Sequence, residues 1–222
     1  MTTRMKEANK QSVNKRAAGY WHFMREFVRH PRQIGAICPS SPFLARRMAS
    51  LVPQGEGVVL ELGPGAGAVT AALLNQGIAA RDLVLVERSA ALSALLAKRF
   101  PGVQLIQGDA MHLSHFDALR RQPVRAVVSS LPLRSLPRPV VRQILAQVAL
   151  ISGPGTVFIQ FSYALRGSYQ NLAHGFERDQ AHVVWRNLPP ARIEAFCFRP
   201  RQAQSQAAAR QRDGGGVRTP TS

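Results

Sequence analysis

A short apolar run followed by a glycine-rich loop is the feature that most constrains how this chain folds. Residues 58–62 read VVLEL, and such a continuous aliphatic run is typical of a parallel strand covered on both faces. Gly63, Gly65 and Gly67 follow at alternate positions, and glycine permits both a tight turn and close approach of the backbone to a ligand. From Ala66 the segment AGAVTAALLNQG predicts a helix that ends at Gly77. Strand, loop and helix together predict a nucleotide-binding crevice.

The spacing of the glycines separates this loop from two common phosphate-binding loops. In the dinucleotide fingerprint the third glycine falls three residues after the second, whereas here it falls two residues after. No Lys-Ser or Lys-Thr follows the loop, which disfavours a P-loop. The plain alternative is a tight strand-to-helix turn without a ligand.

Two further strand ends favour a ligand. DLVLVE, residues 82–87, ends at Glu87, and an acid at the end of the second strand can accept both hydroxyls of an adenosine ribose. VQLIQGDA, residues 103–110, predicts a third strand whose Asp109 would reach the adenine amino group. Each acid alone is typical of a solvated surface. Three matched strand ends predict a site for a nucleoside.

These strings resemble motifs I, II and III of the class I S-adenosylmethionine-dependent methyltransferases. The resemblance covers residues 58–198 and implies a Rossmann-like α/β fold: a seven-stranded sheet with one antiparallel strand and helices on both faces. VRAVVSSLP, GTVFIQFSY, AHVVWRNL and RIEAFCF match the remaining strands, and PVVRQILAQVALI matches a helix. The implied cofactor is S-adenosylmethionine. The residues expected to contact it are Ser40, Ser41, Glu61, Gly63, Gly65, Gly67, Glu87, Arg88, Gly108, Asp109, Ala110 and Ser129.

Charge indicates a second kind of partner. The chain has 222 residues, enough for one domain with a substantial core, and 29 Lys and Arg against 12 acids give a net charge of +17. Such a balance favours a polyanionic partner, either nucleic acid or an anionic membrane surface. No apolar run approaches the 18 or so residues of a membrane span, and no secretory signal is evident. The two cysteines lie far apart and no Cys/His spacing fits a metal, so we expect a cytoplasmic protein without a metal.

The positive charge is concentrated in an N-terminal arm. Residues 1–33 carry eight Lys and Arg against two Glu, and their apolar side chains recur at helical spacing up to His30-Pro31. We expect an amphipathic helix that lies in a bilayer interface, or that packs on its own domain, or both. The apolar face comprises Tyr20, Phe23, Met24, Phe27 and Val28. Residues 34–198 are then the catalytic domain, and the Gln-, Ala- and Gly-rich residues 199–222 predict a disordered tail.

The residues after the fourth strand bear on the methyl acceptor. Enzymes that methylate the amine of adenine or cytosine carry Asn or Asp there, then a proline turn and an aromatic that stacks on the base. This chain keeps the proline turn but has Ser130 and Leu133 at the amide and aromatic positions. The missing stacking platform disfavours nucleobase methylation.

The flanking strings resemble bacterial phospholipid N-methyltransferases, which are related to the rRNA adenine dimethylases. IGAICPSS, VSSLPLRSLP, FIQFSY and VWRNLPPARI carry this likeness, which extends from about Phe27 to Phe198. It implies stepwise methylation of phosphatidylethanolamine to phosphatidylcholine by a peripheral enzyme at the inner face of the membrane, with an anionic membrane surface and a phospholipid as partners. An ornithine lipid is an alternative acceptor. An rRNA adenine N6-methyltransferase is the runner-up, with nucleic acid the less favoured partner.

Five residues are candidates for handling the acceptor. Backbone carbonyls near Ser130 and Leu131 would orient the N–H bonds of the amine. Tyr20 and Tyr163 would hold the quaternary product by cation–π attraction, although Tyr163 also fits a packed strand-end aromatic. Arg166 would pair with the lipid phosphate, or be one more surface arginine.

Overall fold

The computed structural model describes residues 41–164, 175–187 and 189–200. The helices are α1 (Pro42–Ala49), α2 (Ala68–Asn75), α3 (Ala90–Arg99), α4 (Asp117–Arg120) and α5 (Arg138–Ile151). The strands are β1 (Val58–Leu62), β2 (Leu83–Glu87), β3 (Gln104–Gln107), β4 (Val124–Ser129), β5 (Ser152–Ser162), β6 (Phe176–Val184) and β7 (Ala191–Phe198). Short 3₁₀ turns span Ala80–Asp82, Ala110–His115 and Leu133–Ser135. The predicted N-terminal helix and C-terminal tail lie outside the described residues.

The seven strands form one mixed sheet, as the sequence predicts. Their order is β3-β2-β1-β4-β5-β7-β6; β1 to β5 are mutually parallel, and β7 runs antiparallel to both β5 and β6. The strand order reverses at β1: β2 and β3 are added on one side of it, and β4 and β5 on the other. In open α/β sheets ligands bind outside the carboxyl ends of the strands at such a point. The topology therefore places the glycine loop after β1 at the expected ligand edge.

A hydrophobic core covers each face of the sheet. Helices α1, α2 and α3 bury one face, and α5 together with the 110–115 turn buries the other. The first core includes Leu44, Met48, Val59, Leu73, Leu85, Leu96, Val128 and Ile159. The second includes Leu60, Leu62, Leu113, Val127, Val140, Ile144, Val148, Phe158 and Phe196. Strands buried on both faces explain why β1 and β2 lack polar alternation.

The element boundaries differ from the sequence predictions at two informative places. Helix α2 begins at Ala68 rather than Ala66, because Gly67 has a left-handed backbone (φ 83°) and acts as its N-cap. Strand β6 begins at Phe176, five residues before the predicted start. Its first half, FERDQ, is largely solvent-exposed on the sheet edge, so it has no hydrophobic pattern by which to recognise it. No helix in the described part of the chain is long and apolar enough to cross a bilayer.

Candidate functional site

The loop after β1 lies at the carboxyl edge of the sheet. Its three glycines all have positive φ: 65° at Gly63, 58° at Gly65 and 83° at Gly67. The Gly63 N–H donates to the Val86 carbonyl of β2 (3.0 Å), which fixes the loop across the neighbouring strand. This left-handed backbone is sterically costly for residues with a Cβ.

The three glycines serve different purposes. A Cβ at Gly63 would lie 2.5 Å from the Leu131 side chain, and one at Gly67 would lie 2.4 Å from the Phe100 ring. A Cβ at Gly65 would meet nothing within 4 Å. Packing thus disfavours a side chain at Gly63 and Gly67, whereas Gly65 borders open space in which a ligand can approach the backbone.

Glu87 ends β2 beside this loop. One carboxylate oxygen accepts the Gly65 N–H (3.3 Å) and the other accepts the Ser89 N–H (2.9 Å). Burial raises the pKa of the Glu87 carboxyl, and these backbone hydrogen bonds oppose the rise. Each carboxylate oxygen has about two acceptor positions, so both retain capacity for a ribose hydroxyl.

Glu61 lies deeper, under the glycine loop. Its side chain is completely buried, and one oxygen accepts a 2.6 Å hydrogen bond from the Thr70 hydroxyl of α2. Burial raises the pKa of Glu61 to about 8, with the nearby Glu87 as a smaller contribution in the same direction. Glu61 is therefore mainly neutral at pH 7 and joins β1 to α2.

Asp109 and Arg88 connect the ends of β3 and β2. One Asp109 oxygen accepts the Met111 N–H (2.9 Å) and the other lies 3.6 Å from an Arg88 guanidinium nitrogen. Gly108 packs against Phe116, whose ring a Cβ would approach to 2.4 Å. Ala110 is buried and begins the next turn. The structure thus brings the second and third predicted motifs to the same edge as the first.

The turn after β4 is held from inside the protein. The Leu131 carbonyl accepts two hydrogen bonds, from the Leu133 N–H and from Gln160 Nε2 of β5, both at 2.9 Å. A carbonyl oxygen has two lone pairs, so that of Leu131 has none left for an amine. The Leu131 carbonyl is thus engaged within the protein, and the expectation that carbonyls near Ser130 and Leu131 orient the substrate amine stays a prediction. The sequence analysis did not single out Gln160, a buried polar residue within the string FIQFSY that contacts this turn.

Several oxygens at this edge are buried and unpartnered. Among the described residues, no hydrogen bond is made by the oxygens Glu61 Oε1, Ser129 Oγ, Ser130 Oγ or Gln160 Oε1. The register places Ser129 between Leu62 of β1 and Gln160 of β5. Because buried polar groups are costly without partners, these oxygens favour a polar ligand at the ends of β1, β4 and β5.

Residues 59–155 match a family model described as a methyltransferase domain. In the solved structure of the 1,6-didemethyltoxoflavin N1-methyltransferase from Burkholderia thailandensis, with bound S-adenosylhomocysteine, a similar fold recurs. The TM-score is 0.64 at 16% identity, covering 84% of this chain and 90% of that one. Residues 59–155 thus match a methyltransferase domain, the family that the resemblance implies. The predicted fold is confirmed.

Two curated methyltransferases are similar in sequence. An ornithine lipid N-methyltransferase from Singulisphaera acidiphila is 29% identical over 178 residues, which cover 78% of this chain and 92% of that enzyme. A ribosomal RNA small subunit methyltransferase A from Erythrobacter litoralis is 41% identical over 75 residues. That match covers 33% of this chain and only 26% of that enzyme.

The residues of the methyltransferase domain fit S-adenosylmethionine, the methyl donor of this class, as predicted. Open space at Gly65 would admit the cofactor against the loop backbone, and Glu87 and Asp109 lie at the ends of adjacent strands with acceptor oxygens. The orphaned Glu61 and Ser129 oxygens lie beside them. No group of His, Cys, Asp and Glu in the described ranges could hold a metal ion.

The remaining predicted residues of the methyltransferase site divide in two. Tyr163 is partly buried and packs edge-on against the Phe161 ring at 5.5 Å, as a packed strand-end aromatic does. Ser41 caps α1, its hydroxyl accepting the Leu44 N–H at 3.3 Å. Their proposed contacts with product and cofactor stay predictions. Ser40, Tyr20 and Arg166 lie outside the described residues.

Proposed function

We propose that this methyltransferase transfers methyl groups from S-adenosylmethionine to the primary amine of a membrane amino lipid. The observation that carries the proposal is the match to an ornithine lipid N-methyltransferase over 92% of that enzyme's length. An ornithine lipid is therefore the first acceptor to test, and phosphatidylethanolamine, which the sequence analysis favoured, is the second.

The turn after β4 supports a small amine over a flat base. The Leu133 side chain, at the position where base methyltransferases carry a stacking aromatic, is only 2% exposed and belongs to the core. Leu131 is 6% exposed and packs in the same core. Neither side chain offers a face on which a nucleobase can stack, and base stacking is a main source of affinity for a flipped base.

The chain's own groups have three tasks in this reaction. S-adenosylmethionine, which the glycine loop, Glu87 and Asp109 would hold, would supply an electrophilic methyl group. The amine lone pair would bond to the methyl carbon as its bond to sulfur breaks, with S-adenosylhomocysteine as the leaving group. A desolvated pocket lowers the pKa of the lipid ammonium and so favours the nucleophilic free amine. The unpartnered Ser130 and Gln160 oxygens are acceptors for its N–H bonds, which would align the nitrogen, and alignment supplies much of the rate. Successive methylation removes those N–H donors and weakens this hold on the product.

A second candidate is methylation of ribosomal RNA. It is favoured by the 41% identity to a ribosomal RNA methyltransferase over 75 residues and by the net charge of +17. The short extent of that match, and the buried leucine in place of a stacking ring, place it second.

Methyl transfer to defined acceptors tests the proposal. The full chain is incubated with methyl-labelled S-adenosylmethionine and vesicles of phosphatidylglycerol containing either an ornithine lipid or phosphatidylethanolamine, with ribosomal RNA in a parallel reaction. We expect label in the lipid extract, identified by chromatography against mono-, di- and trimethylated standards. Label in RNA and not in either lipid would overturn the proposal in favour of the second candidate.

A further inference from the structure

An aromatic and cationic surface lies beside the candidate site. Trp185 follows β6 and is 71% exposed, and Phe43 in the first turn of α1 is 40% exposed. The guanidinium groups of Arg46 and Arg186 lie 5.0 Å and 4.9 Å from the centroid of the Phe43 ring. We call these four residues the hairpin patch. Trp185 is the most exposed large hydrophobic side chain in the described part of the chain.

The hairpin patch is at the same edge of the sheet as the cofactor loop. Strand β5 ends at Ser162, which pairs with Arg192 near the start of β7, and Ala191 pairs with Val184 at the end of β6. The turn between β6 and β7 therefore lies beside the carboxyl end of β5. This is the edge at which the parallel strands β1, β2 and β4 also end.

The turn is fixed to α1 rather than free. The Ser41 N–H donates to Asn187 Oδ1 (3.3 Å), and Asn187 Nδ2 donates to the Pro189 carbonyl (2.6 Å). Asn187 is 1% exposed, so these bonds are shielded from water. Trp185 is thus presented from an anchored turn, which limits the entropy lost when its ring is immobilised.

The positive charge around the hairpin patch indicates an anionic partner. Residues 41–52 and 181–187 together carry three arginines and one histidine, and no Asp or Glu. Tryptophan beside arginine is the composition of the membrane–water interface, where an indole ring enters the headgroup region and guanidinium groups meet anionic lipids.

We propose that the hairpin patch inserts into the headgroup region of an anionic bilayer and holds the carboxyl edge of the sheet against the lipid surface. The inference rests on the proposed lipid acceptor, whose headgroup must reach this edge. Insertion would bring the membrane to the site without lifting the lipid out of the bilayer.

A single-tryptophan form of the full chain tests the patch. The sequence has two tryptophans, so Trp21→Phe leaves Trp185 as the one reporter. With vesicles of phosphatidylglycerol and phosphatidylethanolamine we expect a blue shift of Trp185 fluorescence and quenching by brominated acyl chains. Pure phosphatidylcholine vesicles should give a much smaller change.

A reporter at the opposite edge is the matched control. Leu150 is 68% exposed near the end of α5, which leads directly into the amino end of β5. Leu150→Trp, combined with Trp21→Phe and Trp185→Phe, should give neither shift nor quenching. Equal changes at both reporters would mean non-specific adsorption and would overturn the proposal.

Vesicle sedimentation and lipid methylation give the second readout. Trp185→Ser with Arg186→Gln should weaken vesicle sedimentation and lipid methylation by about tenfold. Methylation of a water-soluble short-chain amino lipid should be unchanged.

Unshifted fluorescence of Trp185 in an enzyme that still methylates membrane lipid would overturn the proposed role of the hairpin patch and leave the proposed function standing. A shift with RNA but not with vesicles would also overturn it. A shift on vesicles without methylation of any lipid would support the patch and contradict the proposed function.

Discussion

The two halves of the carboxyl edge differ in how their polar atoms are satisfied. We call the ends of β1, β2 and β3 the donor half, since they would bind the methyl donor, and the ends of β4 and β5 the acceptor half, since they would bind the methyl acceptor. In the donor half the chain itself supplies most hydrogen-bond partners: Glu87 accepts from Gly65 and Ser89, and Asp109 accepts from Met111. In the acceptor half, the ends of β4 and β5, three buried oxygens have no partner among the described residues. They are Ser129 Oγ, Ser130 Oγ and Gln160 Oε1.

We interpret this difference as a cofactor loop that is preorganised in the donor half and a site in the acceptor half whose polar atoms are satisfied only when the substrate binds. A loop closed by its own hydrogen bonds keeps one shape whether or not a ligand is present, which suits a cofactor of fixed structure. Buried acceptors without partners destabilise the free protein and are satisfied when a donor arrives. Substitutions in the donor half should therefore change folding or cofactor affinity, whereas those in the acceptor half should mainly change turnover.

The largest expected effect is on folding, at Gly67. In Gly67→Ala the new methyl would lie 2.4 Å from the Phe100 ring, in a backbone conformation with φ of 83°. Left-handed strain of about 1–2 kcal/mol and overpacking of about 1–3 kcal/mol together should lower the unfolding free energy by about 2–5 kcal/mol. Urea denaturation followed by circular dichroism measures this loss.

Gly65→Ala is the matched control, because its φ of 58° is also left-handed but its new methyl would meet nothing within 4 Å. Only the strain should appear in its stability, about 1–2 kcal/mol, while S-adenosylmethionine binding should weaken markedly. Equal destabilisation of the two variants would show that Gly67 does not pack as described.

Glu61 is the exception within the donor half, because one of its buried oxygens has no partner among the described residues. The pH dependence of protein stability tests its protonation state. Its folded pKa of about 8 lies above the ordinary 4.5, so the native protein holds an extra proton between these values. The stability that Glu61 contributes is complete below about pH 4.5 and is lost as pH rises toward 8. Between pH 5 and 8 the unfolding free energy should fall by about 3 kcal/mol more in the wild type than in Glu61→Gln. Urea denaturation at each pH gives both curves; parallel curves would contradict the raised pKa.

Glu87 tests whether the donor half binds the ribose. In Glu87→Ala, two ribose hydrogen bonds and the contact to the Gly65 N–H are lost. S-adenosylmethionine affinity should then fall by about 2–3 kcal/mol, or roughly 30- to 150-fold. Isothermal titration calorimetry measures the affinity, and Asp117→Ala, an exposed acid on α4, is a control that should bind normally. Unaltered affinity of Glu87→Ala would refute its assignment to the ribose.

The donor half was also the more predictable half from sequence. Its glycines are required locally, by positive φ and close packing, and its acids end strands whose apolar runs are easily recognised. The buried strands β1, β2, β4 and β5 and their approximate places follow from the same apolar runs. These features are encoded within short segments, so a single sequence shows them.

The acceptor half depends on contacts between distant segments. The hydrogen bond from Gln160 to the Leu131 carbonyl joins residues 29 apart in the chain, and no local pattern indicates it. The sequence likewise predicts the start of the exposed edge strand β6 five residues too late, because a strand without a buried face shows no alternation of apolar and polar residues. The hydrogen bond from the Ser41 N–H to Asn187 Oδ1 joins residues 146 apart in the chain, and no local pattern predicts it.

Gln160 gives the smallest expected effect and the sharpest separation of the halves. Gln160→Leu removes the donor to Leu131 and an acceptor proposed for the substrate amine, while keeping the side chain's approximate volume. We expect kcat for lipid methylation to fall by about 5- to 30-fold, corresponding to about 1–2 kcal/mol, with the S-adenosylmethionine affinity unchanged. Stopped reactions with labelled cofactor give kcat, and calorimetry gives the affinity.

Ser162→Ala is the control for this variant, because Ser162 lies on β5 two residues further on and its hydroxyl accepts only a local N–H, that of Ala164, among the described residues. It should retain full turnover. If Gln160→Leu weakened cofactor binding as much as it lowered kcat, the two halves would not be separable. The unpartnered Ser130 and Gln160 oxygens would then belong to the cofactor site rather than to the acceptor.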